Sequence, residues 1–92
     1  MNPTTFEREL TRDGYTPGNS ELQAMEPKPL HTHDFDARIL VLEGAITIAW
    51  EDGKTTYRKG DVYDVPAGTP HTEIVGAEGV SLLTGKRNPA QV

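Results

Sequence analysis

The second half of the chain is a series of short strand-like runs separated by tight turns, and this series constrains the fold more than any other feature. In AITIAWE, residues 45–51, the larger side chains Ile46, Ile48 and Trp50 alternate with smaller ones, which is the period of a half-buried strand. The Asp-Gly pair that follows in EDGK is a strong hairpin signal. Similar runs bounded by glycine or proline continue over residues 55–85. The pattern predicts an all-β sandwich or small barrel.

The N-terminal segment, residues 1–15, has the pattern of a short helix. Thr4 and Glu7 fit a capping box, with a hydroxyl followed three residues later by a glutamate. Phe6 and Leu10 are four residues apart and therefore share one helical face. We expect that face to pack against the sheet.

The segment between this helix and the hairpin contains a turn and two further strand-like runs. TPGNS has the composition of a turn, and ELQAMEP and ARILVLEG follow it as predicted strands. Glu43 and Gly44 are expected to form a tight turn into the next strand. These boundaries predict a single domain, with the barrel over residues 20–86 and a frayed tail over residues 87–92.

Composition excludes several classes of function. A chain of 92 residues has room for one domain, and without cysteine it has neither disulfides nor thiolate metal ligands. The formal net charge of -5 argues against nucleic acid or an anionic membrane as a partner. The sequence has neither a membrane-spanning stretch nor a secretion signal. We therefore expect a cytoplasmic protein.

The three histidines have a spacing that can serve a metal ion. His31 and His33 are two residues apart, so in an extended segment both imidazoles leave on one face, with Phe35 and Ala37 continuing that face. His71 begins a strand-like run directly after a Pro-Ala-Gly turn. Neutral imidazole binds most divalent transition metals. The other interpretation is that the first pair lies on a solvated loop and the third histidine merely ends a turn, and spacing alone leaves both open.

Two stretches together resemble the cupin superfamily. GDVYDVPAGTPH, residues 60–71, matches its second motif of glycine, five residues, proline, one residue, glycine, two residues and histidine. HTHDFDARILVLEG, residues 31–44, matches the His-x-His and the closing glycine of the first motif. The resemblance implies a small antiparallel jelly-roll β-barrel. It also implies a metal site in which His31, His33 and His71 are the ligands.

The chain departs from the cupin pattern at two positions. The family's glutamate ligand should fall at Ala37, and an asparagine that often follows the last histidine should fall at Val75. Asp36 is a candidate fourth ligand if a bulge shifts the strand by one residue, although strand alternation favours a solvated acid near Arg38. The interpretation we prefer is a three-histidine site with open positions, similar to the thiol dioxygenase branch of cupins. The third interpretation is a site that binds metal poorly.

Other residues are candidates for the surroundings of the metal. Glu73 lies two residues after His71 and so shares its face. Its carboxylate is a candidate acid or base there, or a group that orients a ligand histidine. The other interpretation is an acid at the barrel mouth that faces water. Gln23, Met25 and Ala37 are candidate pocket-lining residues, for which plain packing is the alternative.

These observations predict a metal-binding cupin of unassigned activity. Iron, zinc, nickel or manganese would be its cofactor, and a small organic molecule would be its ligand or substrate, in an oxygenase or isomerase reaction. The alternative is a non-catalytic module that binds a small ligand or a metal, or a barrel without chemical function. A chain this short gains from burying a sheet edge, so we expect a homodimer.

Overall fold

The computed structural model of the protein describes residues 1–24 and 28–89, and in these it forms one helix followed by five strands. The elements are α1 (Pro3–Arg12), β1 (Thr16–Leu22), β2 (Asp36–Trp50), β3 (Gly53–Arg58), β4 (Val62–Val65) and β5 (His71–Arg87). All pairings are antiparallel, in the order β1-β5-β2-β3, and β4 pairs with β2. The predicted fold class, a β protein with a short N-terminal helix, is confirmed. Among the described residues, no helix has the length and hydropathy needed to cross a membrane.

The cap of helix α1 lies two residues before Thr4, where the sequence predicted a capping box with Glu7. The cap is Asn2, whose Oδ1 accepts hydrogen bonds from the backbone N–H groups of Thr4 and Thr5 at 2.8 and 3.2 Å. The proline that follows the cap fits because the first helical N–H has no partner within the helix. Phe6 and Leu10 are buried, as predicted, on the outer face of the sheet. There they form a small core with Leu40 and Leu83.

The segment read as a turn before the first strand is itself a strand. TPGNS forms most of β1, which pairs with β5 from Thr16 opposite Lys86 to Leu22 opposite Val80. Proline and glycine are compatible with this position because β1 is an edge strand, where only alternate N–H groups meet a neighbouring strand. The barrel therefore begins before residue 20, and β5 continues through Arg87. Met25 and the end of the tail, residues 90–92, lie outside the described residues.

The predicted turn at Glu43 and Gly44 is wrong, because the chain continues through it as one 15-residue strand. The pairing of β2 with β5 shifts register between Val41 and Glu43, which is a β-bulge. The extra residue reverses the alternation of the strand. Odd-numbered side chains up to Val41 face the interior, and even-numbered ones from Ile46 onward face it after the bulge.

Glycine is required on both β2 and β5 near this register shift. Gly44, which pairs with Val80, has φ +80°, and Gly79, next to that partner, has φ +81°. A Cβ atom on Gly44 would overlap the carbonyl oxygen of Gly79. The bend is therefore built from a left-handed backbone on both strands and from close backbone contact.

The main core lies inside the curved sheet and receives side chains from β2, β4 and β5. It is apolar except for the phenol of Tyr63, and it borders the region where the histidines meet. Its buried members are Ala37, Ile39, Val41, Ile46, Ile48, Tyr63, Val65, Val75, Val80 and Leu82.

Candidate metal centre

The three histidines are brought together by backbone pairing between the segment before β2 and the start of β5. His31 and His71 form an isolated antiparallel bridge, with N–H to carbonyl distances of 3.0 and 3.1 Å in the two directions. The carbonyl of His33 accepts a hydrogen bond from the N–H of Gly68, at 2.9 Å, in the turn that precedes β5. The Pro-Ala-Gly turn and the His-x-His segment therefore hold each other in place.

The three imidazole rings surround one point. Ring centroids lie 4.9 Å apart for His31 and His33, 4.4 Å for His31 and His71, and 5.0 Å for His33 and His71. No pair of rings is stacked in parallel, since the interplanar angles are 57°, 54° and 70°. The rings therefore do not pack face to face, and one nitrogen of each lies within 4.8 Å of a nitrogen of the other two.

Two of the rings are held in the same tautomer by backbone carbonyls. Nδ1 of His31 lies 2.8 Å from the carbonyl oxygen of Pro29, and Nδ1 of His71 lies 2.9 Å from that of Thr69. A carbonyl can only accept, so each Nδ1 carries the proton and donates it. The Nε2 lone pair of each ring is then available, which is the arrangement that metal-binding histidines commonly have.

Burial leaves nitrogen atoms of this group without protein partners. Nε2 of His71, on a side chain that is 1% exposed, makes no hydrogen bond within the described residues, and neither does the buried Nδ1 of His33. An unsatisfied buried nitrogen costs about 1–3 kcal/mol. A metal ion bound to these lone pairs would remove that cost, so the donor set fits a metal.

A carboxylate completes the cluster. Oε2 of Glu73 lies 3.5 Å from Nε2 of His31 and 3.6 Å from Nε2 of His71. One ligand atom from each of His31, His33, His71 and Glu73 lies within 4.8 Å of all the others. Ligand atoms around a first-row ion, at bond lengths of about 2.0–2.2 Å, are separated by roughly 3–4 Å. Small side-chain adjustments therefore suffice for this group to hold one ion.

The electrostatic surroundings favour the metal-binding form of His33. Burial lowers the pKa of His33 below its ordinary 6.5, and the charges that His71 and His31 carry when protonated lower it further. Glu73 offsets part of this effect. Neutral imidazole is the form that binds a metal, so the pKa shift favours ligation at neutral pH.

A cavity of about 200 Å³ in the barrel interior adjoins the cluster and is lined by His33, His71 and Glu73 among others. The ring of Phe35 stacks on that of His33, with centroids 4.7 Å apart, and also lines the cavity. Ala37 contributes only a methyl group to the wall, at the position where cupins carry their glutamate ligand. The cavity therefore extends into volume that a larger side chain would occupy.

The other candidates from the sequence lie elsewhere. Asp36 turns away from the histidines: its Oδ1 accepts the N–H of Ala67 at 2.9 Å and its Oδ2 lies 3.6 Å from Nε of Arg87. Gln23 is exposed just after β1 and does not line the cavity, and Met25 lies outside the described residues. Val75 is buried in the main core.

Among the cavity residues that the sequence analysis did not identify, Lys28, Tyr63 and Lys86 carry functional groups of chemical interest. Tyr63 is the easiest to find, since it alternates with Val65 in the run before the Pro-Ala-Gly turn. Its ring stacks on that of Tyr57 at 4.3 Å. Burial raises the pKa of Tyr63, and the charge of Glu73 adds to the increase, so its phenol remains protonated in the cavity wall.

Comparison with known proteins identifies related sequences and structures. The sequence profile described as "Cupin domain" matches residues 19–84. A cupin-2 domain protein from Shewanella frigidimarina is 23% identical, with a TM-score of 0.69 over 83% of this chain and 72% of the other. A protein of unknown function from Rhizobium leguminosarum is 20% identical, with a TM-score of 0.75 over 80% and 70% of the two chains.

A third similar structure is the polyketide cyclase RemF from Streptomyces resistomycificus. It is 23% identical, with a TM-score of 0.64 over 89% of this chain and 67% of the other. At these identities the structural likeness shows the fold alone, which is the jelly-roll barrel that the sequence predicted. No curated protein matches the chain.

Proposed function

Because the chain belongs to the cupin family, we propose that it binds one divalent transition-metal ion through His31, His33 and His71, with Glu73 as the carboxylate of the site. The observation that supports this most directly is the convergence of four ligand atoms within 4.8 Å of one another. Iron, zinc, nickel and manganese all accept imidazole and carboxylate ligands. The proposal makes a small organic molecule in the adjoining cavity the ligand or substrate, in an oxygenase or isomerase reaction.

Two backbone carbonyls and one lysine would support the ligands of such a site. The carbonyls of Pro29 and Thr69 fix the orientation of two ligand rings. Lys28 lies with its Nζ 3.8 Å from Oε1 of Glu73, so one carboxylate oxygen is balanced by an ammonium group while the other faces the histidines. A bound ion would supply Lewis-acid or oxygen-binding chemistry at the edge of the cavity.

Glu73 is also the proposed group for proton transfer. Its side chain is 16% exposed, and it lies both in the ligand cluster and in the cavity wall. A carboxylate in this position can take a proton from a molecule held in the cavity and return it, which is the task of a general base in an isomerase.

Metal binding is tested by thermal unfolding of the protein after treatment with a chelator. Adding zinc, nickel, manganese or ferrous iron should raise the melting temperature, because an ion present at 100 times its dissociation constant stabilises the fold by about 2.7 kcal/mol. His31→Ala and His71→Ala should fold and lose the shift. Asp34→Ala, an exposed residue of the same segment, is the matched control and should keep it. An unchanged melting temperature with all four metals would refute the proposal.

A further inference from the structure

The cavity beside the metal cluster differs in charge from the rest of the protein. The chain as a whole carries a formal net charge of -5. Among the described residues, the fully charged groups lining the cavity are two lysines, Lys28 and Lys86, and one carboxylate, Glu73. A divalent ion on the histidines would add two further positive charges. The cavity is therefore a positive region in an acidic protein, which favours an anionic ligand.

The two lysines have different surroundings. Lys28 is engaged by Glu73, with 3.8 Å between the ammonium nitrogen and the nearer oxygen. Among the described residues, no carboxylate lies within ion-pair distance of the Lys86 ammonium. Instead, Nζ of Lys86 lies over the ring of Phe35, 5.0 Å from its centroid. This contact holds a cation without neutralising it.

The register of β5 turns Lys86 toward the cavity. The pairing of β5 with β2 is irregular between residues 75 and 80, and the alternation of inward-facing side chains changes from odd to even across this gap. Leu82, Thr84 and Lys86 then share the face that lines the cavity. Lys86 is exposed, so it lies at the mouth, whereas the histidines and Glu73 lie deeper.

The remaining wall of the cavity is mostly apolar and the space is small. Leu22, Tyr63 and Leu82 contribute to it, with Ser20 and Thr84 as uncharged polar groups. The volume of about 200 Å³ lies below the roughly 300–1,000 Å³ of pockets that bind drug-sized ligands. Such a site accommodates a molecule of ~10 non-hydrogen atoms, below the size of typical drug-like ligands.

We propose that this cavity binds a small carboxylic acid with an apolar body, its carboxylate paired with Lys86 at the mouth and its body directed along the apolar wall toward the metal cluster. This inference rests on the proposed function, because the cluster forms the inner end of the same cavity. A carboxylate suits the site better than a phosphate does. Among the described residues that line the cavity there is one ammonium group without a carboxylate partner and no guanidinium, and doubly charged phosphoryl groups are more often bound by several donors.

The proposal is tested with matched pairs of probes on the zinc-loaded protein. Benzoate, 4-hydroxybenzoate and phenylacetate are each compared with the corresponding amide, which has the same shape and no charge, by calorimetric titration at low salt. At least one acid should bind about fivefold or more tightly than its amide, the difference expected when a partly exposed ion pair is lost. Lys86→Gln should remove that preference. Lys54→Gln, an exposed lysine on β3, is the matched control and should retain it.

Several outcomes overturn the proposal. These are equal binding of every acid and its amide, persistence of the preference in Lys86→Gln, no binding of any acid at millimolar concentration, and tighter binding of phenyl phosphate than of every carboxylic acid. Elemental analysis of each sample separates this inference from the proposed function. If metal is bound and no acid is preferred, this inference alone fails. If no metal is bound and Lys86 still selects the acid, the metal site alone is wrong.

Discussion

The carboxylate beside the three histidines comes from residue 73 on β5 and not from residue 37 on β2. Its Oε2 lies 3.5 and 3.6 Å from the Nε2 atoms of His31 and His71. Strand alternation from His71 is sufficient to place Glu73 on this face, so this residue could be predicted from the sequence. The role of Lys28, whose ammonium group balances the other carboxylate oxygen, could not be predicted, because it depends on how the segment before β2 pairs with β5.

Replacing the carboxylate should weaken the metal site without disrupting the fold. We predict that Glu73→Gln lowers metal affinity at least ~10-fold, the effect typical of losing a group that ligates or supports a metal. Calorimetric titration of the metal-free protein measures this. Glu78→Gln, an exposed acid on the same strand, is the control and should bind as the wild type does. Equal affinities in both variants would mean that Glu73 has no part in the site.

Substitutions of Ala37 test ligand binding in the cavity independently of metal binding. Ala37→Leu should fill part of the roughly 200 Å³ volume and abolish binding of the carboxylic acids, while metal binding stays unchanged because no ligand atom is removed. The larger side chain should alter the free energy of unfolding by no more than about 1–3 kcal/mol. Ligand titration and elemental analysis of Ala37→Leu, with Ala37→Val as the milder change, check both statements. Undiminished acid binding in the leucine variant would place the ligand elsewhere.

At the scale of the strands, the alternation of side chains predicts which residues are buried, up to the point where a bulge reverses that alternation. Ile46 and Ile48 are buried as their period of two indicated, and so are Phe6 and Leu10 on the helix. The sequence does not reveal that Glu43 and Gly44 continue a strand, because a glycine with positive φ serves a turn and a bulge equally well. The corresponding irregularity in β5 brings Lys86 to the cavity, which explains why that lysine was not predicted.

The bend in β2 should depend strongly on Gly44. We expect Gly44→Ala to destabilise the protein by more than ~1–3 kcal/mol, since an alanine there adopts a left-handed backbone and its Cβ overlaps the carbonyl of Gly79. Gly18→Ala on edge strand β1 is the matched control, because a Cβ there has no neighbour within 4 Å. Urea denaturation of both variants gives the comparison. Equal stabilities would show that the bend tolerates a side chain.

At the scale of the molecule, the sequence motifs predicted the fold, because the turns that position each histidine set the spacings of the cupin motifs. Spacing alone cannot describe the cavity, whose wall combines β1, β2, β4 and β5 with the segment before β2.

Spacing alone cannot describe the assembly of the protein either. Within the described residues β1 pairs only with β5, which leaves its other edge unpaired, and an unpaired edge favours association.

We therefore predict a homodimer. Light scattering coupled to size-exclusion chromatography should give a mass near twice the 10.1 kDa of one chain at micromolar concentration. Dimerisation would bury an edge and add stability that a domain of this size otherwise lacks. A mass of one chain across the concentration range would contradict this.

Anomalous X-ray scattering shows directly whether one ion is held by residues from both cupin motifs. In a crystal of the metal-loaded protein, diffraction data above and below the absorption edge should show a single strong peak per chain. We predict distances of about 2.0–2.2 Å from that peak to His31, His33 and His71, with an oxygen of Glu73 in the same shell. A peak at Asp36 or at the surface, or no peak at the histidines, would contradict metal binding by these four residues.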